Sequence, residues 1–144
     1  ESIEIQNIAR IGSFFGFLAS ICFAGGAYTP ADLFIDAHIF FADWLFRLMN
    51  LTIVFYAITY IMMKKNYFIF SFIFGIVALV VTAHIVLSDF GLARFFYEPH
   101  TVRVLSQKAA TIALIISVPL MTIYNQKRLS SDPINLRIFA LKNY

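Results

Sequence analysis

Cysteine and charge are both scarce in this sequence. Cys22 is the only cysteine among the 144 residues, which excludes an internal disulfide and a metal site built from several thiolates. Charged residues make up 13% of the chain, about half the share found in a typical soluble domain. With 60% hydrophobic residues and a mean hydropathy of +0.80, such a chain cannot cover its own surface in water. We therefore expect lipid to be its solvent.

A basic run with interleaved aromatic residues is also missing, although the formal net charge is +3. Nucleic acid is therefore not an expected partner. The sequence has no internal repeat and no soluble-domain linker, and its length fits a single domain. The partners that this composition predicts are the lipid bilayer and either a second protein or further copies of the same chain.

Four continuous apolar stretches are long enough to form membrane helices. A hydrocarbon core of about 30 Å requires about 20 helical residues. We predict spans at about 8–29, 33–63, 67–88 and 104–125, followed by a tail over 126–144. The stretches lack the alternation of polar and apolar residues that barrel strands require. The sequence therefore predicts an all-α, integral membrane four-helix bundle.

Basic residues concentrate on one side of the predicted spans. They are Arg10, Lys64, Lys65, Lys127, Arg128, Arg137 and Lys142. The other side carries Asp32, Asp36, Asp89 and Glu98, with Arg94 and Arg103 as its only basic residues. Because Lys and Arg favour cytoplasmic loops, we predict that both termini and the "KKN" turn face the cytoplasm. The basic, partly apolar tail is compatible with an interfacial helix, a disordered end or a docking segment.

Small residues recur at steps of three and four along three of the predicted helices. They are Gly12, Gly16 and Ala19, then Ser71, Gly75 and Ala78, and finally Ser106, Ala110 and Ala113. Such stripes allow close approach between helices in lipid, so we expect them to form the contacts within the bundle.

The second predicted helix carries an unusual polar stripe of Asp36, Asp43, Arg47 and Asn50. The spacing of four between Asp43 and Arg47 predicts an ion pair on one helix face. His38 lies about 200° around the helix from Asp36, so we expect it to point away from the stripe and to sit above the hydrocarbon core.

Three helices place a basic or titratable side chain at one expected depth. Counting along each helix puts Arg47, His84 and Lys108 about 26 to 28 Å above the cytoplasmic charges. One interpretation is structural: the long basic side chains reach the interface beside an aromatic belt. The other is a ligand site near the outer face. Its candidate residues are Asp43, Arg47, His84, Asp89, Arg103 and Lys108, with "DFGLARFFYEPHTVR" as a possible lid.

A metal or haem site is a further hypothesis, with His84, Asp89 and His100 as the candidate metal ligands. The order "AYTPADLFIDAH", a membrane helix, a basic turn, a helix with His84 and then "FFYEPH" resembles the C subunit of copper membrane monooxygenases over about half of the chain. The resemblance implies a metal-binding subunit of a membrane oxidoreductase. The dense acidic and histidine ligand pattern of that family is absent, because "TAHIVLSDF" offers only His84 and Asp89.

The leading functional hypothesis is a small membrane subunit or binding module. The alternatives are the metal- or haem-binding subunit and an enzyme or binder that acts on lipid headgroups. Ser88 and Ser106 are available as nucleophiles, but neither lies in a G-x-S-x-G context. The sequence therefore assigns neither a cofactor nor a catalytic residue.

Overall fold

Four long α-helices make up the fold in this computed structural model, which describes residues 3–63 and 67–130, with side chains as far as Gln126. They are α1 (Ile3–Tyr28), α2 (Ile35–Met62), α3 (Phe68–Asp89) and α4 (Pro99–Ser130), with a short 3-10 helix at Leu92–Phe95. The described part of the chain contains no strand, and all four α-helices are long and apolar enough to cross a membrane. The predicted all-α membrane fold is thus confirmed.

The first residues of α1 and α4 and the last residue of α4 differ from the predicted bounds. α1 begins at Ile3 rather than at residue 8, and Glu4 in its first turn favours a helix N-terminus. α4 begins at Pro99 rather than at residue 104, because proline is well suited to the first helical position. The same helix continues through Ser130. The "KKN" turn and the tail from residue 131 lie outside the described residues.

Neighbouring helices are antiparallel and contact one another in chain order. α1 packs on α2, α2 on α3, and α3 on α4, while in the described ranges α1 makes no close backbone contact with α3 or α4. The buried hydrophobic cluster lies among the last three helices. It consists of Phe46, Ile53, Val77, Val81 and Ala110. A space therefore remains between α2 and α4 wherever side chains on α3 do not fill it.

Glycines allow α1 and α2 to approach closely. A Cβ atom on Gly12 would lie 3.1 Å from the Cβ of Phe55, and one on Gly16 would lie 3.3 Å from the methyl of Thr52. Gly25 accommodates the ring of Phe41, which comes within 2.5 Å of the position of the missing Cβ. The small-residue stripe of α1 therefore makes the contact that the sequence predicts. In α3 the prediction is wrong for Gly75, which faces open space.

Hydrogen bonds between side chains link each pair of neighbouring helices. The hydroxyls of Ser13 and Tyr56 lie 2.8 Å apart across α1 and α2, and the Asn50 amide donates to the Thr82 hydroxyl at 2.9 Å across α2 and α3. Other hydroxyls donate to the carbonyl one turn earlier, as Thr52 does to Leu48. These bonds satisfy polar groups that lipid cannot.

Substitution of Gly12 tests the close contact between α1 and α2. We expect Gly12→Val to lower the free energy of unfolding by about 1 to 3 kcal/mol, because the added methyl groups press on Phe55. The measurement is unfolding of the purified protein in mixed micelles, followed by circular dichroism. Gly75→Val is the matched control in open space and should change stability by less than about 0.5 kcal/mol. Equal losses in both variants would assign the effect to backbone propensity rather than to packing.

Candidate functional site

A cavity of about 330 Å³ lies where α2 begins, α3 ends and α4 begins. Its principal polar lining residues are His38, Asp43, His84, His100, Arg103 and Gln107. We call this space the histidine cavity, because it collects all three histidines of the chain. Three helices thus contribute titratable side chains to one space.

Each helix contributes one face to the histidine cavity. On α2 the lining residues Ile39, Asp43 and Phe46 follow steps of four and three. On α4 the set of His100, Arg103, Val104 and Gln107 follows steps of three, one and three. α3 supplies His84 and, one turn later, Ser88. These spacings keep the side chains of each helix on one side, so the cavity follows from how the three helices are rotated.

His38 is held by the last turn of α1. Its Nδ1 lies 2.7 Å from the carbonyl oxygen of Thr29 and 3.2 Å from that of Gly26. Because a carbonyl oxygen can only accept, Nδ1 carries the hydrogen and the neutral ring has its lone pair at Nε2. His38 lies in the first turn of α2 and lines the cavity together with Asp43, one of the four residues of the polar stripe. Its position above the hydrocarbon core stays a prediction.

His84 is buried between α3 and α4, with 7% of its surface exposed. Its Nδ1 lies 3.0 Å from the Ser106 hydroxyl, and that hydroxyl donates to the Arg103 carbonyl oxygen at 2.8 Å. Since Ser106 has one hydroxyl hydrogen and gives it to the carbonyl, the imidazole Nδ1 must be the donor to Ser106. The neutral His84 ring therefore also has its lone pair at Nε2, and its edge packs against Phe46 at 4.7 Å between ring centroids.

Arg47 binds Asp89 across α2 and α3. The guanidinium Nε lies 2.9 Å from the Asp89 carboxylate, and the same group lies 5.3 Å from the ring centroid of Trp44. In the described residues Arg47 forms its hydrogen bond and ion pair with Asp89 rather than with Asp43. Asp43 lines the cavity and still acts on Arg47 as a nearby favourable charge, so the expected neutralisation is shared between two carboxylates. The end of α3 offers a carboxylate that helical spacing alone does not reveal.

The predicted ligand residues are thus brought together only in part. Asp43, His84 and Arg103 line the histidine cavity, whereas Arg47 and Asp89 form their ion pair outside its lining. Of the predicted metal ligands, His84 and His100 line the cavity and Asp89 does not. Throughout the described ranges, no group of three or more His, Cys, Asp or Glu residues could hold a metal ion. The predicted ligand residues did not include His38 or Gln107. His38 lies four residues before the lining residue Ala42, and Gln107 lies four residues after Arg103, so the spacing places each pair on one helix face.

Lys108 lies on a surface furrow that continues from the cavity. The furrow has a volume of about 370 Å³ and a mainly apolar lining on α4, formed by Val104, Gln107, Lys108, Thr111 and Ile112. We call it the α4 furrow. Val104 and Gln107 line both spaces, so the histidine cavity adjoins the α4 furrow.

The connection between α3 and α4 does not cover the cavity. Gly91 starts it in the left-handed region with φ of 62°, and Ala93 is buried against the helix ends. Tyr97 is 99% exposed, and no residue between Asp89 and Pro99 lines the cavity. The predicted lid segment, residues 89–103, thus meets the cavity through His100 and Arg103 of α4, whereas its part outside the two α-helices does not line it.

Aromatic rings fill the opposite end of the bundle. Tyr60 stacks with Phe70 and Phe74 at centroid distances of 5.2 and 5.7 Å, and Tyr124 meets the edge of Phe70 at 5.1 Å. A second space of about 300 Å³ lies beside these rings, and none of its described lining residues is charged or a histidine. The histidine cavity is therefore the stronger candidate for a functional site.

No protein-family model matches this chain, and neither the curated proteins nor the solved structures give a significant match. The resemblance in layout to the C subunit of copper membrane monooxygenases consequently receives no support from these comparisons.

A double-mutant cycle tests the ion pair. For Arg47→Met and Asp89→Asn we expect a coupling free energy of about 0.5 to 1 kcal/mol, since both side chains are about one-third exposed. The same cycle with Asp43→Asn in place of Asp89→Asn should give a smaller coupling. Unfolding in mixed micelles supplies both values, and a larger coupling with Asp43 would contradict the observed pairing.

The tautomers of two histidines can be read by ¹⁵N magnetic resonance of labelled imidazoles. At a pH where the rings are neutral, His38 and His84 should both show a protonated Nδ1 and an unprotonated Nε2. Ser106→Ala should change the spectrum of His84 and leave that of His38 unaltered. A protonated Nε2 on neutral His84 in the native protein would contradict the hydrogen-bond assignment.

Proposed function

We propose that this protein is a small membrane binding module whose ligand occupies the histidine cavity. The observation that carries this proposal is the convergence of three histidines, Asp43 and Arg103 from three helices on one space. Ionisable side chains in membrane helices are costly, and they generally mark a site. Helix packing alone needs no such groups, as the fully buried Val81 and Ala110 illustrate in the same protein.

The ligand that this lining suits contains an anionic group such as phosphate or carboxylate. Arg103 offers a planar guanidinium that can bind two oxygens at once. Gln107 lies one turn further along the same face of α4 and adds an amide donor. Asp43 is the only carboxylate among the described lining residues. The Arg103 side chain forms no hydrogen bond or ion pair within the described ranges, so it is available to an anion.

Binding has better support than hydrolysis or metal chemistry. Ser88 lines the cavity, but its hydroxyl makes no hydrogen bond with a histidine in the described part of the chain. The Ser106 hydroxyl does contact His84, but it donates its hydrogen to the Arg103 carbonyl oxygen, so the imidazole does not accept that hydrogen as a general base would. A metal-binding subunit is the weaker alternative, because Asp89 is engaged by Arg47 and no ligand group of three or more is assembled among the described residues.

We also propose an orientation in the membrane and a role in a larger assembly. From the distribution of Lys and Arg in the sequence, we propose that the end with the histidine cavity faces away from the cytoplasm. A role within a larger membrane complex finds support in α1, whose Phe14, Phe17 and Phe23 are more than half exposed and would meet lipid or a partner.

Titration with a soluble anion tests the binding module. We expect phosphoethanolamine to shift the imidazole resonances of His38 and His84 in the purified full chain. Arg103→Gln should weaken this binding about ten-fold or more, because a hydrogen bond to a charged group contributes about 1.5 to 3 kcal/mol. Isothermal titration calorimetry measures the affinity.

Arg94→Gln is the matched control, since Arg94 is an exposed arginine near the same end that does not line the cavity. It should bind phosphoethanolamine as the native protein does. If neither phosphoethanolamine nor phosphatidylethanolamine in nanodiscs shifts the histidine resonances, the cavity is not a ligand site and the proposed function is wrong.

A further inference from the structure

We infer that the ligand of the histidine cavity is a phospholipid with a primary ammonium in its headgroup, bound with its phosphate at Arg103 and one acyl chain in the α4 furrow. This inference rests on the proposed function, because it names the class of ligand for the same cavity. Three features carry it: the acceptors on α2 and α3, the donors on α4, and the continuity between cavity and furrow.

The α2 and α3 side of the cavity presents hydrogen-bond acceptors. The Nδ1 hydrogens of His38 and His84 are committed to the Thr29 carbonyl and the Ser106 hydroxyl, so the neutral rings offer their Nε2 lone pairs. No hydrogen bond to either Nε2 occurs within the described ranges. Asp43 adds a carboxylate. A primary ammonium matches this set, because it is positively charged and carries three hydrogens to donate.

The α4 side of the cavity presents donors. Arg103 and Gln107 line it, and Lys108 follows Gln107 where the cavity meets the furrow. A phosphate diester placed here would accept from the guanidinium and lie near a second positive charge. The cavity therefore offers acceptors on α2 and α3 to an ammonium and donors on α4 to a phosphate, while His100 and the amide oxygen of Gln107 add acceptors on the α4 side.

The α4 furrow supplies a place for an acyl chain. It begins at Val104 and Gln107, which also line the cavity, and it ends at Ile112. From Val104 to Ile112 the helix rises about 12 Å, in the direction that leads from the cavity end toward the middle of the predicted span. A soluble ligand would make no contact with this mainly apolar surface, whereas an acyl chain of the bound lipid would lie along it.

The volumes of the histidine cavity and the α4 furrow fit the headgroup and an acyl chain, respectively. About 330 Å³ corresponds to on the order of ten water-sized groups, which suffices for a phosphoethanolamine group and not for acyl chains. The chains must therefore leave the cavity, and the α4 furrow of about 370 Å³ is the apolar surface that adjoins it.

Native mass spectrometry of the full chain with three lipids of identical acyl chains tests the headgroup. We expect phosphatidylethanolamine to bind about ten-fold more tightly than phosphatidylcholine, because a quaternary ammonium donates no hydrogen bond to the imidazoles or to Asp43. Asp43→Asn should weaken the binding of both lipids and reduce this preference, because both headgroups lose an ionic attraction and phosphatidylethanolamine also loses a charge-assisted hydrogen bond. Equal binding of the two lipids, or tightest binding of phosphatidylglycerol, would overturn the assignment of an ammonium headgroup.

Two tryptophan variants test the acyl chain. Ile112→Trp should fill the furrow and weaken phosphatidylethanolamine binding several-fold, whereas Ile115→Trp, at a position 65% exposed and outside the furrow, should not. Binding of soluble phosphoethanolamine should be the same in both variants.

The native protein and the two tryptophan variants also distinguish a lipid headgroup from soluble phosphoethanolamine. If soluble phosphoethanolamine binds as tightly as the lipid and Ile112→Trp has no effect, the cavity still binds a ligand but the lipid inference is wrong. If neither the lipid nor the soluble compound binds, the proposed function fails together with the inference.

Discussion

Polar groups within an apolar solvent must find partners inside the protein, and the arrangement of these helices follows from how they do so. Between α1 and α2 the partners are Ser13 and Tyr56, and between α2 and α3 they include Asn50 and Thr82. Lipid tails give helices little hydrophobic reason to associate, so close packing and bonds of this kind hold them together. Each link joins neighbours in the chain, which is why α1 meets only α2 among the described helices.

An arrangement in chain order leaves polar side chains at one end that no neighbouring helix satisfies. In the interior, Val81 of α3 is fully buried and closes the space between α2 and α4. One turn nearer the end of α3, His84 stands in the corresponding position, and within the described ranges only its Nδ1 has a hydrogen-bond partner. A change from an aliphatic to an imidazole side chain along one helix thus turns a packed core into a cavity with free acceptors.

The four helices were predictable from the sequence, because continuous apolar stretches have few other solutions in lipid. The starts of α1 and α4 were less so, since Glu4 is charged and lies outside the continuous apolar stretch, and Pro99 is well tolerated only in the first turn of a helix. The residue with which Arg47 forms its ion pair was not predictable from the sequence. Spacing identifies Asp43 as a neighbour on the same helix, but only the rotation of α3 brings Asp89 to the guanidinium. The position of His38 likewise depended on where α1 ends.

His38 shows that α1 influences the cavity without lining it. The carbonyl of Thr29, the residue that follows α1, fixes the His38 ring and determines which nitrogen keeps its lone pair. In the same way Arg103 acts twice, because its backbone carbonyl accepts from Ser106 and its side chain lines the cavity. The bonds that hold α1 on α2 and α3 on α4 therefore also orient the acceptors of the site. A substitution that loosens either pair of helices should change the orientation of these rings before it unfolds the protein, since the ring orientations depend on contacts weaker than the helices themselves.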